Sequence, residues 1–187
     1  SWMTWINSDD RLAPGALNFI CNLSSNIENK DVQWVGGKTS LMKEDGEHIE
    51  FFLQANSKII NFGLNDGLHW GFLQQEGVFF RNALWNKIDL KKSLTEFKYA
   101  GDWNLWRAFS QHEELYQVDK VLGTFYKRKG QISEVSRDDY YREIDVCASK
   151  ADRYKAFKAL SDIEHIRYEI SNDNNYTKIQ KRISGAI

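Results

Sequence analysis

The run Trp2-Met3-Thr4-Trp5-Ile6 is apolar and β-prone, and it stops at the polar quartet Asn7-Ser8-Asp9-Asp10. Such a run reads as a buried strand passing into a loop. Pro14 then stands where a first helical residue would, and Leu17, Ile20, Leu23 or Ser24, and Ile27 follow at helical spacing. Val32-Gln33-Trp34-Val35 and Thr39 to Lys43 read as strands, and a Glu44-Asp45-Gly46 turn leads to a third over Ile49 to Leu53. Strand, helix, strand, hairpin is the order of an α/β layer rather than a helical bundle. The opening reads as a strand already under way, so the chain is expected to begin within a larger fold.

Further along, the Asn- and Gly-rich residues 54–71 are expected in loops and short turns. Gly77 to Phe80 is a short buried strand, Arg81 to Ile88 a short helix, and Asp102 opens a helix with Leu105, Trp106 and Phe109 on one face. Leu115 to Tyr126 is a long strand interrupted at Asp119-Lys120 and Gly123. After that the pattern turns helical. Ser136-Arg137-Asp138-Asp139 resembles a capping box, with Tyr141, Ile144 and Cys147 or Ala148 behind it. Tyr154, Phe157, Leu160, Ile163, Ile166 and Ile170 then form one helical stripe.

Composition removes several function classes. With 42% hydrophobic residues and seven Trp, the chain is too apolar to stay disordered. Its net charge of −1 supplies no field to recruit nucleic acid. Cys21 and Cys147 fit no zinc or redox spacing, which suits a reduced cytosolic compartment. No stretch approaches the roughly 20 apolar residues that span a bilayer. There is no Gly-x-x-x-x-Gly-Lys phosphate loop, no Gly-x-Gly-x-x-Gly, no His-Glu-x-x-His and no Gly-x-Ser-x-Gly. The four His residues are scattered and read as surface or packing residues.

Four segments carry residues suited to chemistry. Asn7-Ser8-Asp9-Asp10 places carboxylates at a strand end, where α/β folds bind ligands. One or two carboxylates with substrate phosphates make a usual magnesium or manganese site, although the same quartet also serves simply to end a strand. In Tyr99 to Arg107 a single carboxylate, Asp102, stands at a helix start between Gly101 and two Trp. A helix N-terminus favours the ionised form that a general base needs. The plainer reading makes Asp102 an N-cap and the Trp residues core. Leu73 to Arg81 leads polar residues into a buried strand, as the wall of a polar cleft or as a solvated strand edge. Lys127-Arg128-Lys129 before Gly130 suits phosphate, and equally a solvated turn.

In order and spacing these segments resemble the family 2 glycosyltransferases, inverting enzymes with the GT-A fold. Trp5-Ile6-Asn7-Ser8-Asp9-Asp10 with Pro14-Gly15-Ala16-Leu17 is similar to the family's Ser-Asp-Asp and Pro-Gly-Ala-Leu elements. Val32 to Gly37, Gln75 to Trp85, Ala100 to Trp106 and Gly123 to Ser133 follow in the family's order, over roughly residues 2–145. The resemblance implies the C-terminal portion of a GT-A fold, with an acceptor-side part over 1–133 and a helical extension over 134–187. It implies a sugar transferred from a nucleoside diphosphate sugar to a glycan or lipid-linked glycan acceptor, in bacterial surface polysaccharide synthesis.

Under the resemblance Asp9, with Asn7, would hold Mg²⁺ or Mn²⁺, and Asp10 and Arg128 would meet the donor diphosphate. Asp102 would be the base, and Gln75, Glu76, Arg81 and Trp106 would line the acceptor cleft. The chain departs from the family in three places. Asn7 stands where many relatives have the first Asp of the DXD motif, and Arg128 where many have His. The nucleotide-recognising strands that precede the motif in the family have no counterpart here. A parallel sheet with an open edge is therefore expected, covered by the rest of a longer enzyme or by a second copy. Membrane association would be peripheral at most. The alternative reading is a non-catalytic module that binds carbohydrate or a partner; a magnesium-dependent phosphotransferase comes third.

Overall fold

The structure, a computed structural model, describes residues 1–25, 30–51, 55–89, 95–131, 136–161, 165–173 and 176–184. It is mixed α/β, with helices on a curled sheet. The chain opens with β1 (Trp2–Thr4) and a short β2 (Arg11–Leu12), then α1 (Ala16–Ser25), β3 (Trp34–Lys43) and β4 (His48–Phe51). After α2 (Ser57–Asn61), a 3-10 turn (Gln75–Gly77) leads into β5 (Val78–Arg81), α3 (Asn82–Trp85) and α4 (Gly101–Ser110). The long β6 (Leu115–Lys127) is followed by α5 (Arg137–Cys147), α6 (Lys150–Ser161), β7 (His165–Asp173) and β8 (Tyr176–Ser184).

The spatial order is β1-β5-β3-β6-β7-β8, with β4 beside β3 and β2 beside β6. The sheet is mixed rather than parallel: β3–β6 and β6–β7 run parallel, while β1–β5, β3–β5, β3–β4, β2–β6 and β7–β8 run antiparallel. Alternation of side chains across each strand divides the core between two faces. Trp34 and Phe80 join Leu105, Trp106 and Phe109 of α4 on one face. Val35 and Phe79, their chain neighbours, join Ala16, Phe19, Ile20 and Leu23 of α1 on the other. Leu17, expected on the buried stripe of α1, is 58% exposed because it falls one residue off that stripe. Ile27 lies outside the described residues.

Two strands expected over 32–35 and 39–43 form one, since β3 runs straight through Gly36-Gly37. A Cβ on Gly37 would stand 2.4 Å from the Leu122 side chain and 2.6 Å from Lys120 O, so this glycine permits close approach rather than a turn. The β3–β6 register slips on both sides of Lys38, which pairs with Val121 although Gly37 pairs with Val118. The irregularity falls at the Asp119-Lys120 interruption expected from sequence and re-aims the end of β6.

The wholly helical extension expected over 134–187 is corrected. Helix continues only to Ser161, and 165–184 holds the β7–β8 hairpin, with β7 extending the sheet alongside β6. Ile166, Tyr168 and Ile170 satisfy period two as well as Ile163, Ile166 and Ile170 satisfy helical spacing, and pairing with neighbouring strands decided between them. The capping box also fails, because Ser136 makes no side-chain cap bond to α5. Among the described residues no helix is long and apolar enough to cross a membrane.

Candidate functional site

Beyond β1 the chain turns tightly, Asp10 N–H donating to Asn7 O at 3.2 Å. The Asp10 carboxylate, 8% exposed, accepts the Tyr126 N–H of β6 at 3.0 Å and the Asn7 side-chain amide at 3.2 Å. These bonds clamp the quartet onto the end of β6, as does the pairing of Arg11-Leu12 with Gly123-Thr124. Asp9, the neighbouring residue, faces outward and accepts a charge-assisted hydrogen bond from Arg128, 119 residues along the chain. Together Ser8, Asp9, Asp10, Arg11, Tyr126 and Arg128 line an open cleft of about 440 Å³. The Arg11 guanidinium lies 5.2 Å over the Tyr126 ring, so two cations and two carboxylates meet at this corner.

Behind the cleft lies Glu76, 1% exposed on the 3-10 turn before β5. Its close seat against β6 requires Gly123, where a Cβ would come 2.1 Å from Glu76 O. Burial, then a hydrogen bond shared with Asp10, then the charges of Asp10 and Asp102, push the Glu76 carboxyl up to about 8. Glu76 therefore holds a proton at neutral pH. Its Oε2 has no hydrogen-bond partner among the described residues. The charges of Asp10 and, more weakly, Asp102 thus both act on the buried Glu76.

Asp102 is the second residue of α4 and is not its N-cap; Ala100 takes that place without a side-chain cap bond. Its carboxylate accepts the Trp103 N–H at 2.7 Å. The helix start was expected to favour the ionised form, and the backbone N–H groups do so. Burial outweighs them and raises Asp102 to about 6. A carboxylate of that basicity is ionised at neutral pH and still able to take a proton.

Two nominated residues lie elsewhere. Trp106 is 1% exposed, with its ring centroid 6.2 Å from that of Trp34 and its Nε1–H donating to Leu73 O at 3.2 Å. Trp106, expected in the acceptor cleft, is thus a core residue, its ring packed among Trp34, Phe80 and Phe109. Arg81 ends β5 on the side away from the 3-10 turn; its Nε donates to Val32 O at 2.9 Å and its guanidinium lies 4.7 Å over Trp2. It therefore braces the sheet edge instead of the cleft that holds Glu76. Gln75 stays beside Glu76 on the turn, 9% exposed.

Sequence reasoning missed several polar groups that act from the C-terminal helices. Tyr140 on α5 is within electrostatic reach of Asp102, and its buried hydroxyl has no hydrogen-bond partner among the described residues. Glu143, one turn on, accepts the N–H groups of Lys98, Tyr99 and Ala100 at 2.9, 2.8 and 2.8 Å. Asp66, in the Asn- and Gly-rich region, accepts from Arg153 Nε at 3.0 Å and pairs with His69 Nδ1 at 2.9 Å, so this His is part of a buried network. A charged residue 1% exposed on α6 had no local signal, since its partner lies 87 residues away.

Among the described residues no group of three or more His, Cys, Asp or Glu side chains is placed to hold a metal ion. Asn7 turns its amide toward Asp10, and Asp10 is engaged by Tyr126 and Asn7, which leaves Asp9 as the one outward carboxylate of the quartet. That donor set fits a hard divalent cation in company with phosphate oxygens rather than a cation held by protein alone. No family model matches the chain, and no curated protein sequence matches it.

Proposed function

We propose that this chain is the acceptor-side part of an inverting glycosyltransferase of GT-A type, acting on a nucleoside diphosphate sugar. The observation that carries the reading is the corner itself: Ser8, Asp9, Asp10, Arg11, Tyr126 and Arg128 line one open cleft at the end of β6, with Glu76 seated against Gly123 of the same strand. The donor diphosphate would meet the Arg128 guanidinium in place of Asp9, and Asp9 is the residue that would hold a Mg²⁺ or Mn²⁺ ion. When bound, that ion neutralises charge gathering on the leaving diphosphate. Asp102 takes the proton of the acceptor hydroxyl as its oxygen bonds to the anomeric carbon from the face opposite the diphosphate. The bond to the diphosphate oxygen breaks in the same displacement, and configuration inverts without a covalent enzyme intermediate. Gln75 and Glu76 border the acceptor path, and the acceptor is a glycan or lipid-linked glycan of a bacterial surface polysaccharide.

Titration with UDP- and GDP-sugars, with and without Mn²⁺, tests the reading when joined to a transfer and hydrolysis assay of wild type and Asp102→Asn. Metal-dependent binding, with turnover reduced at least about 100-fold in the variant, is the expected outcome. No nucleotide binding at any Mn²⁺ concentration, or full turnover in Asp102→Asn, overturns it. One observation favours a second reading as a carbohydrate- or partner-binding module: the Asp9 carboxylate is already engaged by Arg128. Binding of glycans without nucleotide would support that alternative.

A further inference from the structure

The start of α4 carries Asp102, yet its N-cap, Ala100, contributes no side-chain oxygen to the exposed N–H groups there. The backbone that leads into this start is held instead, by an acceptor from a distant helix. Glu143 Oε1 receives the Lys98 N–H, and Oε2 receives those of Tyr99 and Ala100, at 2.8–2.9 Å. Three successive backbone N–H groups converging on one anion form a concave seat of the kind that binds anions tightly. The grip extends beyond the hydrogen bonds: Ile144, next to Glu143, packs with Ala100 and Trp103, and Tyr140 and Tyr141 pack against the same cluster.

Helix α5 is itself anchored. Tyr141 OH donates to Asp66 O at 3.2 Å, and Arg153 joins Asp145 at 2.8 Å to the buried Asp66. A continuous path of hydrogen bonds thus runs from the 64–70 region through α6 and α5 to the residues just before Asp102. Glu143 is not among the groups that shift Asp102, which respond to burial and backbone N–H groups, so it acts by placement and not by charge.

We propose that Glu143 is a positioning residue: by holding the N–H groups of 98–100 it fixes the first turn of α4 and thereby aims the Asp102 carboxylate at the acceptor hydroxyl. The proposal rests on the reading of Asp102 as the base. In Glu143→Gln one oxygen becomes an NH₂ group that cannot accept, so the three-donor seat is broken without loss of volume. Glu143→Asp keeps the charge but withdraws the carboxylate by one methylene.

The full chain is examined in two ways. Carboxyl ¹³C NMR, assigned with Asp102→Asn, follows the titration of Asp102 in wild type, Glu143→Gln and Glu143→Asp. Its midpoint is expected near 6 in wild type and about 1 unit lower in Glu143→Gln, as a loosened helix start admits water to the carboxylate. In the transfer assay kcat falls about tenfold or more with donor KM unchanged, the acid limb of the kcat profile moves with the NMR midpoint, and Glu143→Asp is intermediate. An unchanged Asp102 midpoint in both Glu143 variants overturns the proposal, as does a loss confined to donor KM. If Glu143→Gln does not fold, Glu143→Asp decides by the same two readouts. Turnover that survives Asp102→Asn would instead sink the reading of Asp102 as base, while the NMR midpoint would still report whether Glu143 places it.

Discussion

Two Asp–Arg pairs do opposite things in this molecule. Asp9–Arg128 borders the cleft with side chains 35% and 56% exposed, whereas Asp66–Arg153 is sealed at 0% and 1%. The exposed pair gains little from its own attraction, because water screens it and two mobile side chains must be ordered. Its partners can therefore be exchanged for a ligand's phosphate or cation at low cost. In the buried pair each charge depends on the other, and neither can leave. The same chemistry thus makes an exchangeable pair at one place and a structural joint at the other. Solvent decides which.

The largest effect is expected at the joint. Arg153→Met leaves Asp66 buried without its guanidinium and should lower stability by about 3–5 kcal/mol in urea unfolding. A loss below about 1 kcal/mol would erase the contrast between the pairs.

Glu76 is a third case, a buried acid that faces other acids, Asp10 and Asp102. Its carboxyl is raised in the fold to about 8 from an ordinary 4.5, so between those values the folded chain binds more protons than the unfolded. Stability associated with Glu76 is accordingly complete below about pH 4.5 and lost as pH rises through about 8. Glu76→Gln keeps the shape and removes the titration. It should be more stable than wild type at pH 9 by on the order of a few kcal/mol, and the difference should shrink as pH falls toward 5. Parallel stability profiles for the two proteins would show that Glu76 does not titrate in this window.

The smallest stability effect is expected at the corner. Arg128→Ala should change unfolding free energy by less than about 1 kcal/mol. The same substitution should weaken binding of a nucleoside diphosphate by about tenfold or more in calorimetry, since a charge-assisted bond to phosphate is lost. If Arg128→Ala destabilises the fold as strongly as Arg153→Met, the corner is architecture and not a binding place.

Much of the local structure was legible because local burial leaves a periodic trace. The strand at 2–4, the helix stripe through Ile20 and Leu23, the Val78–Phe80 strand and the Leu105, Trp106, Phe109 face of α4 all follow from spacing. The same periodicity misled at 165–184, where apolar residues suit both helix and strand and β pairing chose the strand. Roles were harder to read than elements. Trp106 was open to a place in the acceptor cleft or in the core, and 1% exposure put it, like Trp103, in the core. Arg81 looked like a cleft residue until the Trp2 ring and Val32 O took up its guanidinium.

By itself, the sequence determined several elements, such as β1, α1, β5 and α4, though not α2 within 54–71 or the joining of β3. It also determined which acids stand at element ends: Asp9 and Asp10 after β1, Glu76 before β5, Asp102 in the first turn of α4. Those properties depend on neighbours within a few residues, which periodicity and turn chemistry encode. Only the tertiary structure decided which charges meet. Arg128 reaches Asp9 across 119 residues, Arg153 reaches Asp66 across 87, and Glu143 reaches the backbone before Asp102 across 43 to 45. Such contacts follow from strand order and from helix packing, and no window of sequence contains both partners.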